Sequence, residues 1–66
     1  MSTAAAEAYQ AGRGARRQVK PGEPKHIPNP HPVPKVGEAG ELFHAWAAGY
    51  RAEKRQQYIN AYKKRT

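Results

Sequence analysis

All six prolines of this chain, and three of its six glycines, lie between Val19 and Gly40. Proline lacks a backbone donor and clashes with the preceding helical turn, so this stretch forms neither a regular helix nor a central strand. Regular structure must therefore lie on either side of it, over residues 3 to 17 and about 39 to 64. In between, Pro28, Pro30, Pro32 and Pro34 fix φ at every second residue and restrict each residue before them. The expectation is an extended, polyproline II-like strap, acting as a semi-rigid spacer or lying along a partner. The fold class that follows is all-α. Two helices, joined by a connector over residues 19 to 40, make a small helical hairpin and a single small domain.

The first segment, TAAAEAYQAGRGARR, carries its own end signals. Thr3 or Ser2 can cap it, Glu7 lies near its positive end, and Arg13, Arg16 and Arg17 lie near its negative end. On a helical wheel Ala4, Ala8, Ala11, Gly12 and Ala15 form a face almost without side chains, with Gln10, Arg13 and Arg17 opposite. Small residues permit close approach of a second helix, so Ala8, Tyr9 and Gly12 are expected at the contact.

The second segment, ELFHAWAAGYRAEKRQQYINAYKK, presents two faces in succession. At about 100° per residue, Leu42, Phe43, Trp46 and Tyr50 share one arc of roughly 100°, an apolar stripe suited to the alanine face. Gly49 at the edge of that arc marks a close backbone approach. Beyond Tyr50 the arc continues as Glu53, Gln57 and Asn60. Arg51, Arg55, Tyr58, Ile59 and Tyr62 gather on a different side, placing cations and aromatics on one surface. Glu38 and Glu41 suit the positive end of this helix, and Lys63, Lys64 and Arg65 the negative end.

Sixty-six residues with few bulky apolar side chains exclude a large core, so the isolated monomer is expected to be marginal and completed by a partner. No cysteine is present, which excludes disulfides, thiolate ligands and thiol redox chemistry. No apolar run approaches the ~20 residues of a membrane span, and no signal peptide is evident, so a cytoplasmic protein without a membrane partner is expected. Twelve Lys and Arg against five Asp and Glu give a net charge of +7, which favours a polyanionic partner.

Arg51, Lys54, Arg55, Tyr58, Tyr62, Lys63 and Lys64 suit a sugar-phosphate backbone with unpaired bases: cations neutralise phosphates and tyrosine rings stack on bases. Arg13, Arg16, Arg17 and Lys20 form a second cationic cluster. If about six of these cations touch RNA phosphates, log K should fall with log salt at a slope of roughly −4 to −5. The plainer alternative is a solvated face, with Ile59 and Tyr62 buried against a second copy of the chain in a homodimer. His26, His31 and His44 lack ligand spacing and read as solvated, so no metal or other cofactor is expected. Glu38, Glu41 and Glu53 do not pair as an acid/base dyad, and the one serine, Ser2, has no base beside it. With no phosphate-cradling loop either, the chain reads as a non-enzyme.

Two clusters, Tyr9-Gln10-Ala11-Gly12 and Trp46-Ala47-Ala48-Gly49-Tyr50-Arg51, with Asn29-Pro30 between them, resemble the ribosome modulation factor family. Members are small basic proteins of two helices and a connector, in which a Tyr-x-Ala-Gly segment, a Cys-Pro or Asn-Pro step and a Trp-x-x-Gly-Trp-Arg segment recur. Tyr50 stands here where the second tryptophan would be. The resemblance implies binding to the small ribosomal subunit near the 3′ end of its RNA, with ribosomal proteins nearby, and repression of translation through paired, silent ribosomes. Two features depart from the family pattern: the connector is longer and richer in proline, and residues 56 to 66 add a basic aromatic extension. A protein-interaction module, such as a phage or plasmid inhibitor engaging a host protein through Trp46 and Phe43, is the alternative from another class.

Overall fold

Helix α1 spans Thr3–Arg17 and helix α2 spans Glu41–Lys64. The structure, a computed structural model, describes residues 2–20 and 22–64, apart from the side chain of Lys64, and no strand occurs among them. Both helices begin where their first residues allow. Ser2, in an extended conformation, caps α1 by accepting the Ala5 N–H on Oγ at 3.1 Å, which satisfies one of the unpaired donors of a first turn. Helix α2 starts at Glu41 rather than at residue 39, because Glu38 closes a turn and Gly40 has a φ of +61°, outside the helical region.

This is the small helical hairpin expected from the sequence, but its arms run in the same direction. Ser2 Oγ donates to Glu41 Oε1, Arg13 Nε to Glu53 Oε2 and Arg16 Nε to Gln57 Oε1, at sequence offsets of 39, 40 and 41. A constant offset is the signature of parallel helices. Parallel arms need a return path as long as α1, about 22 Å at 1.5 Å per residue, and residues 18–40 supply it.

The return path is fastened to α2 rather than left as a free spacer. Ile27 N–H donates to Tyr50 Oη at 3.3 Å, and the His26 ring meets the Tyr50 ring edge-on at 5.4 Å. Asn29 Nδ2 donates to the Phe43 carbonyl at 2.9 Å, and Pro34 packs on Gly40. Later residues of the segment thus meet earlier residues of α2. Each end is a turn of the same build, Lys20 to Glu23 and Lys35 to Glu38. In each the glutamate N–H donates to the lysine carbonyl (3.1 and 2.9 Å), while its carboxylate accepts the lysine N–H (2.8 and 2.9 Å). Gly22 and Gly37, with φ of 89° and 92°, take the third position, which a type II turn reserves for glycine.

The core lies between the helices and is small. Ala5, Ala8, Ala45, Trp46 and Tyr50 are buried, with Tyr9, Ala15 and Ile27 against them, and Trp46 stacks on Tyr50 at 5.2 Å. Val19, just past α1, is fully buried and pins the start of the return path. The backbones approach closely at two reciprocal points. A Cβ on Gly12 would overlap the Trp46 carbonyl, and one on Gly49 would overlap the Tyr9 carbonyl.

Two expectations about packing are corrected. The face of α1 that packs is Ala5, Ala8, Gly12 and Arg16, rotated toward the arginine side of the expected alanine face, so that Ala4 and Ala11 are exposed. Leu42 is 38% exposed because the register sets it level with the first residues of α1, where no helix wall remains to cover it. Phe43, half-buried, lies on the connector side of α2 and not on α1.

Candidate nucleic-acid interface

The rotation of α1 has an electrostatic cause. Glu53 and Gln57 continue the Trp46–Tyr50 arc toward α1, and a polar arc facing a helix needs partners there. Arg17 Nε reaches Glu53 Oε1 at 3.0 Å and Arg13 Nε reaches Glu53 Oε2 at 3.4 Å. The hydrogen bond from Arg17, together with the charges of Arg17 and Arg13 and the bond from Arg13, holds the Glu53 carboxyl below its ordinary range despite its burial.

Arg16 is only 4% exposed. Its Nε donates to Gln57 Oε1 at 3.0 Å, its Nη1 donates to Tyr50 Oη at 3.4 Å, and its guanidinium lies 5.5 Å from the centre of the Tyr50 ring. Burial pushes the Tyr50 phenol up, but the bonds from Arg16 and the Ile27 N–H, with the charges of Arg16 and Lys54, outweigh it and leave the group below its usual value. Gln57 Nε2 in turn donates to the carbonyls of Arg16 and Val19 at 2.9 and 3.0 Å, so α2 caps the end of α1.

The predicted cationic cluster on α1 is therefore largely tied to α2, although the Arg17 side chain stays 59% exposed. Arg16 is buried, and Arg13 and Arg17 are tied to Glu53; Lys20, the remaining cation of that cluster, is exposed. The predicted cluster on α2 is different. Arg51, Lys54, Arg55, Tyr58, Ile59, Tyr62 and Lys63 line one shallow concavity along the helix. The register carries α1 only as far as Gln57, so the helix beyond stands clear of it. Tyr58 is 48% exposed and Tyr62 72%. Lys64 continues the helical backbone, but its side chain, like Arg65, lies outside the described residues.

Four of the five acidic groups are engaged away from this surface. Glu53 faces α1, Glu41 meets Ser2, and Glu23 and Glu38 are engaged by their own turns. The outer side of α2 is left as a cationic stripe interleaved with aromatic rings, the pattern that neutralises phosphates while stacking on bases. Trp46, which the protein-interaction alternative needs on the surface, is only 5% exposed. Among the described residues no helix is long and apolar enough to cross a membrane, and no three His, Asp or Glu side chains group as metal ligands.

Sequence reasoning missed the work of Glu53, Gln57, Asn29 and Val19. The signal for the first two was their place on the Trp46–Tyr50 arc, opposite an arginine-rich helix end. Comparison with protein-family models, with curated proteins and with solved structures finds no match.

Proposed function

We propose that this chain is a non-enzymatic, ribosome-associated regulator that binds RNA of the small subunit through the outer face of α2, repressing translation or promoting ribosome hibernation. The observation that carries the reading is the exposed stripe of Arg51, Lys54, Arg55, Tyr58, Tyr62 and Lys63, from which four of the five acidic groups are held away. Net charge of +7 supports it. The ribosome modulation factor-like motifs direct it to the ribosome, and their residues Gly12, Trp46, Gly49 and Tyr50 are those of the helix contact.

With the α1 arginines engaged internally, the stripe offers Arg51, Lys54 and Arg55 to phosphates, which lowers the expected salt slope to roughly −2 for a single strand. The test is sedimentation of tagged protein with ribosomal fractions at low salt, alongside Arg51→Glu with Arg55→Glu. The wild type should travel with the small subunit and be released by nuclease or salt, and the double variant should remain at the top with its helicity intact. Co-sedimentation of that variant, or absence of the wild type from ribosomal fractions, would overturn the reading.

A further inference from the structure

A cavity of about 550 Å³ opens between the connector and α2, bounded by His26 and Asn29 on one side and by Phe43, His44, Ala47 and Arg51 on the other. Its size is in the range of small-ligand sites. Five of its lining residues, His26, Phe43, His44, Trp46 and Tyr50, carry aromatic rings, and Phe43 and His44 stand edge to face at 5.3 Å. The small Ala47 side chain leaves the space between them open. Asn29 holds the connector at its distance by donating to the Phe43 carbonyl at 2.9 Å while its Oδ1 accepts the His31 N–H at 3.0 Å.

The cavity is not isolated from the stripe. Phe43, Ala47, Arg51, Lys54, Tyr58 and Tyr62 fall on one side of α2 at the three- and four-residue spacing of a helix face. Arg51 belongs to both surfaces, as it borders the cavity and the concavity beyond it. A strand whose phosphates follow the cations thus reaches a ring-walled recess one helical turn before Arg51. We infer that this recess receives one unpaired nucleobase of single-stranded RNA, its face against one of the perpendicular Phe43 and His44 rings, its edge toward the other, and its phosphate on Arg51. A cation at the mouth and imidazole donors and acceptors in the walls suit a base, which is flat, polar at its edge and attached to an anion.

This inference rests on the RNA-binding reading, and one set of measurements separates the two. Binding is measured by fluorescence anisotropy at low salt for a short single-stranded RNA, an abasic strand of equal length and a blunt RNA duplex. The base-bearing strand should bind more than tenfold tighter than the abasic one, since the recess and the Tyr58 and Tyr62 rings all stack on bases. Ala47→Leu, which fills the recess from a position away from α1, should lower that preference about tenfold, the worth of one stacked base, while leaving abasic binding, salt slope and helicity unchanged. Equal wild-type binding of base-bearing and abasic strands overturns the nucleobase site, as does an undiminished preference in folded Ala47→Leu. Failure to bind any of the three nucleic acids removes the RNA reading itself.

Discussion

Three glycines lie inside helices, and alanine should stabilise at one of them and destabilise at the other two. In an exposed helix interior, replacing glycine by alanine stabilises by about 0.5–1 kcal/mol. Gly14 meets nothing within 4 Å, so Gly14→Ala should show that gain. At Gly49 a Cβ would overlap the Tyr9 carbonyl and lie 2.9 Å from its carbon and 3.2 Å from Tyr9 Cα. The obstacle is backbone, which no rotamer change can clear. The helices must separate by on the order of 1 Å, which forfeits a quarter to a half of the dispersion energy across the contact. Overpacking of this kind costs about 1–3 kcal/mol or more, and the core affected is the Trp46–Tyr50 stack. After the gain in helix propensity, Gly49→Ala should lose about 1–3 kcal/mol. Gly12→Ala, facing Trp46 C at 2.9 Å and Tyr50 N at 3.0 Å, should behave alike. A domain of this size has only about 3–5 kcal/mol in total, so the double variant should be largely unfolded. Urea denaturation followed by far-ultraviolet circular dichroism measures the four variants against the wild type. Wild-type or greater stability in Gly49→Ala would refute the close-packed parallel pair.

Glu53→Gln should destabilise by about 1–2 kcal/mol, a figure discounted because the Arg17 side chain is 59% exposed. Since the folded carboxyl lies below its ordinary value, its stabilisation is present above the unfolded pKa of about 4.3 and is lost as pH falls through the lower folded value. Thermal melts against pH should show that acid limb in the wild type and a shallower one in Glu53→Gln. Arg16→Met should cost about 2 kcal/mol by stripping partners from Gln57 and Tyr50 while leaving the salt slope of RNA binding unchanged. A lowered slope would place Arg16 on phosphate after all.

Much of the fold was legible because it depends on local rules. Proline and glycine between residues 19 and 40 divide the chain, the Ser2 cap and Arg16–Arg17 delimit α1, and Gly49 announced a close approach that the Tyr9 carbonyl occupies. The stripe from Arg51 to Lys63 was legible because residues three and four apart share a helix face wherever the helix sits. The arginines of α1 were not. Their role depends on which part of α2 stands opposite, and that depends on arm direction. Antiparallel arms would set Arg13, Arg16 and Arg17 near Glu41; parallel arms set them at Glu53 and Gln57.

The sequence by itself determined two helices, the break between them, the cationic excess and the residues of the outer α2 face, since each follows from backbone chemistry or helical spacing. Only the tertiary structure decided that the connector returns along α2 and makes the helices parallel. Its anchors at Tyr50 and Phe43 join residues 23 and 14 positions apart, beyond the reach of any local periodicity. From that direction follow the enclosure of Arg16, the pairing of Glu53 and the recess beside Ala47.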